Sequence, residues 1–172
     1  CLICTMVMLL GGPVLAQNYE PEPVLVDQDP NPDGLGIVDN VDYLSVNATG
    51  MLTFPGDDTS ATALDDFLYA DAGTTVTIYR EGMPILGTTP GATALLFDYM
   101  YSYRHIDAVG NVVYNCNLGG SAPSSASEAV CLNNTALMVE GDAAPGIAGS
   151  LITYLYNPAI SDAGDVFFEA DT

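Results

Sequence analysis

The residues best suited to chemistry lie in an acidic loop near the start of the chain, DPNPDGLGIVDN. Asp29, Asn31 and Asp33 occupy loop positions one, three and five, Gly34 position six and Asn40 position twelve. This spacing of oxygen ligands is the one with which a single turn wraps Ca²⁺, although an EF-hand carries a bidentate Glu at position twelve. The loop also aligns with a Glu-Gly linker further along the chain that lacks such ligands. The sequence therefore leaves a Ca²⁺ site and an ordinary Asp/Pro/Gly turn open, and favours the turn.

Two cysteines lie in the body of the chain. Cys116 and Cys131 fall on consecutive predicted strands, with a Ser/Gly-rich loop between them. An even number of cysteines in an exported chain indicates pairing, so a cross-strand disulfide is the first interpretation. A metal site built on this pair is not expected, because the single histidine lies on another strand.

The chain offers little that could catalyse a reaction. Arg104 and His105 form the only cation and imidazole pair, and no Ser, Cys or paired acid stands in a recognisable nucleophile setting. Tyr99, Tyr101 and Tyr103 alternate with period two, so they belong to one face of a strand. This stripe has two interpretations. The simpler one is packing between sheets, and the more specific one is stacking of the tyrosine rings on a carbohydrate. We expect no enzymatic activity.

The charge balance excludes several classes of partner. The 172 residues contain 22 Asp and Glu against 2 Lys and Arg, which gives a formal net charge of -20. Such a chain is repelled by phosphate backbones and by anionic lipid, so neither nucleic acid nor a membrane surface is expected as a partner. Salt or divalent cations should stabilise the folded chain by screening this repulsion.

The first residues indicate export. Residues 1–16 carry no charge and end with small residues, Val14 and Ala16, at the positions that a signal peptidase reads. We interpret them as part of a secretory signal peptide cleaved before Gln17, and residues 17–22 as a polar lead-in. The expected location is extracellular or at the cell surface, with the periplasm as the alternative. No membrane association is expected after cleavage.

The remaining sequence, residues 23–172, predicts short strands separated by Gly, Asn, Asp and Pro, and these strands must position the residues above. Glu81-Gly82 recurs 59 residues later at Glu140-Gly141, and turn glycines recur at Gly50, Gly110 and Gly164. The period of about 54–60 residues predicts repeats at approximately 23–78, 79–137 and 138–172, the last one truncated. Each repeat is expected to hold four antiparallel strands, and a strand predicted at residues 23–27 corresponds to the fourth strand of a blade. The predicted fold is all-β, a partial β-propeller, with a β-sandwich as the alternative.

Two segments carry a resemblance to known proteins: EGDAAPG at residues 140–146 and NPAISDAGDVFFEA at residues 157–170. With these, residues 23–172 resemble secreted bacterial tandem-repeat proteins of the planctomycete type, which carry an N-x-x-G-x-x-x-A-F signature after an E-G-D-x-x-P-G segment. The resemblance implies a propeller-like repeat fold and an exported address, and no activity. We therefore expect an exported or cell-surface structural or binding module whose partner is a glycan or another surface protein. The alternative is the N-terminal part of a propeller-type carbohydrate-active enzyme.

Overall fold

The computed structural model describes residues 24–96 and 104–172, and all regular secondary structure in these two ranges is β. They contain no helix, and therefore none that is long and apolar enough to cross a membrane. The predicted signal peptide at 1–16, the lead-in at 17–22 and the tyrosine stripe at Tyr99, Tyr101 and Tyr103 lie outside the described residues.

Twelve strands lie within the described ranges. Their bounds are β1 (Val38–Val41), β2 (Ser45–Val46), β3 (Leu52–Asp58), β4 (Asp66–Asp71), β5 (Val76–Arg80), β6 (Ala92–Leu96), β7 (Arg104–Ile106), β8 (Val112–Gly120), β9 (Glu128–Leu132), β10 (Thr135–Val139), β11 (Tyr154–Ile160) and β12 (Val166–Asp171).

The strands form three antiparallel sheets in chain order. The first sheet has the order β1-β3-β4-β5, with β2 also paired to β3. The second sheet has the order β10-β9-β8-β6, with β7 also paired to β8, and the third sheet consists of β11 and β12. Within the two described ranges, none of the three sheets closes on itself. The prediction of an all-β, antiparallel fold is confirmed, and the predicted repeat boundaries at 78/79 and 137/138 fall inside β5 and β10.

The second sheet is covered on both faces, as the sequence of its central strand requires. Val112, Val113 and Tyr114 follow one another in β8 and are all buried, so both faces of that strand meet apolar neighbours. One face joins Tyr114, Cys116 and Leu118 to Leu68, Ala70 and Tyr79 of the first sheet. The other face joins Val113 and Val130 to Ile152, which precedes the third sheet, and to Leu155 in β11 of that sheet. The three sheets therefore pack in succession.

The first sheet has a further apolar face on the side away from the second sheet. Phe54 and Tyr69 are directly opposite one another in the β3–β4 register, and their rings stack with centroids 4.6 Å apart. Val38 and Phe67 are buried beside them, and Leu25 packs against the cluster. Aromatic pairs across neighbouring strands stabilise a sheet, so this cluster holds β1, β3 and β4 together.

The segments that lead into the three sheets are hairpins with matching hydrogen bonds; we call them linker hairpins (26–38, 80–94 and 139–152). In each, one residue has a left-handed backbone: Gln28 (φ 72°), Gly82 (79°) and Gly141 (88°). Its amide donates over 2.8 Å to the carbonyl of Val38, Ala94 or Ile152, respectively. The amides of these three acceptors donate back, over 2.8–2.9 Å, to Asp29, Met83 and Asp142.

The turns before β3, β8 and β12 also match one another. Gly50, Gly110 and Gly164 have φ values of 88°, 93° and 86°, a region that favours glycine because it has no Cβ. Their amides donate to the carbonyls of Asn47, Asp107 and Ser161, three residues earlier. The side chains at those three positions accept bonds from amides two or four residues further on, which fixes each turn.

The predicted strand at residues 23–27 is wrong over residues 24–27, which the structure describes without a strand. The chain already bends there: the amide of Val26 donates to Asp29 Oδ2 at 3.1 Å, and Gln28 takes its left-handed conformation two residues on. Among the described residues no neighbouring strand pairs with this segment. An apolar alternation alone does not make a strand without a partner.

Candidate functional site

A group of charged side chains lies at one end of the first sheet, where β3 and β5 end and the first linker hairpin docks. Arg80 is the last residue of β5 and Asp58 the last of β3, and both are buried. The guanidinium of Arg80 forms ion pairs with both Asp33 and Asp58, and its Nη2 donates to Asp33 Oδ1 at 2.8 Å. We call Arg80, Asp33, Asp58 and Asn31 the arginine clamp.

Hydrogen bonds within the arginine clamp join distant parts of the chain. Asn31, 2% exposed, donates from Nδ2 to Asp58 Oδ2 at 2.9 Å. Asp58 Oδ1 accepts the amide of Ser60 at 2.9 Å, and Arg80 Nη1 donates to the carbonyl of Leu64 at 2.7 Å. One guanidinium thus holds the first linker hairpin and the β3–β4 loop against the end of β5.

The electrostatics of the arginine clamp follow from these bonds. The hydrogen bond from Arg80 holds the pKa of Asp33 below its ordinary value. Burial alone would raise the pKa of Asp58, but the bonds from Arg80 and Ser60 outweigh it and lower that pKa too. Burial opposes the charge on Arg80, yet its two carboxylate partners raise its pKa. All three groups stay ionised and paired, so neither carboxylate is free to exchange protons as a catalyst would.

Two carboxyl pairs lie beside the arginine clamp. Asp57 and Asp66 face each other in the β3–β4 register. Burial and a hydrogen bond with Asp57 raise the pKa of Asp66 to about 8. Burial, together with Asp65, raises the pKa of Glu81, which follows β5 directly. Like charges this close cannot both ionise without cost, so Asp66 carries a proton at neutral pH.

The four residues of the predicted Ca²⁺ loop have different surroundings. Asp29 Oδ2 accepts the amide of Val26, Asp33 pairs with Arg80, and Asn40 lies exposed in β1 beside Asp57 of β3. Asn31 Oδ1 is buried without a hydrogen-bond partner among the described residues. In residues 24–96 and 104–172 no three or more His, Cys, Asp or Glu side chains are grouped so that they could hold a metal ion. The Ca²⁺ hypothesis stays a prediction.

The two cysteines lie close together in the second sheet. Cys131 is opposite Tyr114 and Cys116 is opposite Ala129, so the thiols are diagonal neighbours on one face. Their sulfur atoms are 3.5 Å apart, and both residues are buried as free thiols. The hydrogen bond to Cys131 and burial raise the pKa of Cys116 well above its ordinary value. The predicted disulfide stays a prediction, since the sulfurs are in contact but not bonded.

Arg104 and His105 point in different directions on β7. Arg104 is buried and donates from Nε and Nη2 to the carbonyl of Tyr43, at 3.3 and 3.2 Å. His105 is exposed and sits opposite Val113 in the β7–β8 register. Alternation along a strand separates neighbouring side chains in this way, so the two do not form a joint site.

A shallow cleft of about 250 Å³ lies between the second linker hairpin and the start of the third. Glu140 and Asp142 each have one carboxylate oxygen engaged inside the fold. Glu140 Oε2 accepts from the amide and hydroxyl of Ser127, and Asp142 Oδ2 accepts the amide of Val139. The cleft is lined by Gly87, Thr88, Thr89, Ser125, Ala126, Val139, Glu140, Gly141 and Asp142.

Sequence reasoning missed Asp58, Asp66, Arg80 and Glu81. Spacing along the chain gives no hint of them, because Asp33 and Arg80 meet only when the first linker hairpin folds onto the sheet. One signal was available: Arg80 is one of two arginines in a chain with 22 acids. A scarce cation among many carboxylates attracts several of them, and here Arg80 forms ion pairs with two.

These features define an all-β protein of successive antiparallel sheets, in which the arginine clamp holds the first linker hairpin against the first sheet. Residues 16–172 match a family of unknown function (DUF7453), and the chain belongs to that family. Neither the curated proteins nor the solved structures include a match to the chain.

Proposed function

We propose that the protein is an exported or cell-surface β-repeat module with a structural or binding role. The observation that carries this proposal is the recurrence of the linker hairpin before each of the three sheets, with a left-handed residue at the equivalent position and the same pair of backbone hydrogen bonds. A unit that recurs with its connections intact is the mark of a repeat architecture, in which each unit buries its apolar face against the next.

We further propose that the sheets are blades of a partial β-propeller, with a β-sandwich as the alternative. The first sheet is an antiparallel succession in which β3, β4 and β5 follow one another, and the second repeats this with β8, β9 and β10. The burial of both faces of the second sheet supports blades over a sandwich, because a two-sheet sandwich covers only one face of each sheet. This agrees with the resemblance to the exported bacterial repeat proteins.

The charge and the composition support a location outside the cytoplasm. A net charge of -20 with only 14% charged residues leaves a surface made mostly of uncharged polar groups, which suits a soluble extracellular module. The partner that this surface fits is a neutral glycan or another surface protein, because an anionic partner would be repelled.

The alternative is that the chain is part of a propeller-type carbohydrate-active enzyme. The candidate acid pair for such an enzyme is Asp57 and Asp66, of which Asp66 is protonated at neutral pH. Glycosidases hold their two carboxyl groups about 5–9.5 Å apart so that the sugar and water fit between them. Asp57 and Asp66 share a hydrogen bond instead, and Asp66 is buried. The pair therefore favours the structural role.

The test has two arms. Fractionation of the native host and N-terminal sequencing should find the protein outside the cytoplasm with Gln17 as its first residue. The purified protein should release no reducing sugar from a panel of polysaccharides. A cytoplasmic protein that retains residues 1–16 would overturn the export proposal. Sugar release that disappears in Asp66→Asn would establish the enzyme alternative.

A further inference from the structure

The cleft between the second and third linker hairpins has a filled counterpart between the first and second. Gly82 and Gly141 are equivalent residues of their hairpins, as their matching backbone hydrogen bonds show. Arg80 lies two residues before the first of these glycines, and Val139 lies two residues before the second. Val139 therefore takes the position that Arg80 has in the arginine clamp.

The loops that lead into β4 and β9 are also equivalent. The amide of Leu64 donates to the carbonyl of Ala61 at 2.7 Å, and the amide of Ala126 donates to that of Pro123 at 2.9 Å. Each donor lies two residues before its strand begins. The carbonyl of Leu64 accepts a hydrogen bond from Arg80 Nη1. Ala126, which lines the cleft, thus occupies the position of that acceptor.

The hairpin residues of the arginine clamp have uncharged counterparts beside the cleft. Asn31 and Ile85 each lie three residues after the left-handed residue of their hairpin, and Ile85 is buried among apolar side chains. Asp33 and Gly87 each lie two residues further on. Gly87 and Val139 both line the cleft. The space that holds a guanidinium and a carboxylate in the arginine clamp therefore corresponds to the open cleft.

The lining of the cleft suits a cationic group. Among the described residues it contains two carboxylates, those of Glu140 and Asp142, and no cationic side chain. Hydrogen bonds from Ser127 and from the amide of Val139 fix these carboxylates in place. The net charge of -20 also attracts a basic partner over a longer range.

We propose that the cleft binds the guanidinium group of an arginine side chain on a partner protein. A guanidinium presents its donors as a planar fork, so it can meet several separate acceptors at once. In the arginine clamp, Arg80 meets two carboxylates and one carbonyl in this way. The corresponding acceptors in the cleft are Glu140, Asp142 and the carbonyl of Ala126. This inference rests on the proposed binding role and selects a protein partner over a glycan.

The test titrates the ¹⁵N-labelled full chain with the tripeptide glycine-arginine-glycine, blocked at both ends, and follows the amide chemical shifts. Saturable shifts should be confined to residues 87–89, 125–127 and 139–142. The same peptide with lysine should bind about threefold more weakly or worse, because an ammonium lacks the planar fork. The peptide with citrulline, the uncharged isostere of arginine, should give no saturable shifts.

Substitutions of the two acids locate the binding. Glu140→Gln and Asp142→Asn should each weaken it by about threefold to fivefold, as the loss of a partly exposed charge pair does. Asp29→Asn is the matched control. Asp29 accepts a backbone amide in the first linker hairpin as Asp142 does in the third, but it is not part of the cleft lining. The control should leave binding unchanged.

Val139→Arg provides an independent readout. Its guanidinium should fill the cleft from within, as Arg80 fills the equivalent space, and saturable peptide binding should be lost. The inference would be overturned by an absence of saturable shifts, by equal responses to the arginine peptide and either other peptide, or by binding that Glu140→Gln and Asp142→Asn leave intact. Shifts spread over the whole chain would also overturn it, since they show only attraction to the net charge.

The outcome is separable from that of the export proposal. The titration uses purified protein, so it can fail while fractionation still finds the protein outside the cytoplasm. Conversely, a cytoplasmic location would overturn the export proposal and leave the measured affinity of the cleft for arginine unchanged.

Discussion

At the residue scale, Arg80 determines how the start of the chain is held. Its guanidinium neutralises two carboxylates that come from a hairpin and a strand end far apart in sequence, and it lies 5.9 Å from the centre of the Phe67 ring. The side chain of Asp58 is fully buried and that of Asp33 is 24% exposed, so the loss of Arg80 would leave the Asp58 carboxylate without a counter-charge in the interior.

We expect Arg80→Gln to destabilise the protein by about 3–5 kcal/mol, the range seen when one partner of a buried ion pair is removed. Urea unfolding followed by circular dichroism measures the change. Asp33→Asn should cost less, because the Asp33 side chain is 24% exposed and water can replace part of its interaction. In the double variant the two effects should not add, since both break the same contact. If the two changes in the free energy of unfolding add, Arg80 and Asp33 do not stabilise the fold through their mutual contact.

The carboxyl pair at Asp66 makes stability depend on pH. The folded pKa of Asp66 is about 8 and its ordinary value is 3.8, so the folded protein binds this proton more tightly than the unfolded chain. The stabilisation that this bound proton gives the folded state is present below pH 4 and is lost as the pH rises towards 8. Asp33, Asp58 and Asp107 have lowered pKa values, and their contribution is lost as the pH falls below about 4.

Stability should therefore be greatest in mildly acidic solution and fall between about pH 5 and pH 8. Asp66→Asn should flatten that fall, because the amide keeps the hydrogen bond to Asp57 without a titrating proton. Thermal melts at a series of pH values, with Asp162→Asn as an exposed control, measure the effect. An Asp66→Asn profile parallel to that of the unchanged protein would rule out this pair as its origin.

At the element scale, β8 and β9 bring Cys116 and Cys131 into contact, but the sheet then protects them. The thiols are buried between the first and second sheets, and the raised pKa of Cys116 keeps it from forming the thiolate that attacks a disulfide. The sulfurs must also approach from 3.5 Å to bonding distance while both strands stay paired. Oxidation is therefore expected before the sheets pack.

Refolding in a glutathione buffer should give the Cys116–Cys131 disulfide, whereas folded, reduced protein should oxidise slowly under the same conditions. The bond closes a loop of about 15 residues and should stabilise the fold by roughly 3 kcal/mol in the chain-entropy account. Non-reducing peptide mapping detects the link, and Cys131→Ser is the control. Free thiols in protein isolated from an oxidising compartment would contradict the assignment.

At the scale of the whole molecule, charge is the dominant property. With a formal net charge of -20 the folded chain repels itself, so added salt should raise its melting temperature. If the first linker hairpin binds Ca²⁺, this ion should stabilise the protein beyond the effect of a monovalent salt at equal ionic strength.

The Ca²⁺ excess should vanish in Asp29→Ala and remain in Asp162→Ala, which removes an exposed turn carboxylate near β12. Melting temperatures in CaCl₂ and in NaCl of matched ionic strength decide the point. Equal values in the two salts would leave the hairpin as a plain turn held by Arg80. This outcome would also agree with the guanidinium acting as the only cation bound there.

The sequence alone determined the local features of the protein. Short apolar segments bounded by Gly, Asn, Asp and Pro predicted an all-β chain of short antiparallel strands, because strand period and turn chemistry are local properties. The recurring Glu-Gly pair predicted a period that the linker hairpins also follow. The first hairpin was harder to recognise, since Gln28 takes the left-handed conformation for which the other two use glycine.

Only the tertiary structure decided which side chains meet. The strand expected at residues 23–27 needed a neighbouring strand to pair with. The sequence of one segment does not specify whether such a partner lies beside it. The loop at Asp29–Asn40 has the spacing of a cation site, yet Asp33 meets a guanidinium that lies 47 residues away. Long-range contacts of this kind arise from the packing of whole elements, so residue spacing along the chain cannot specify them.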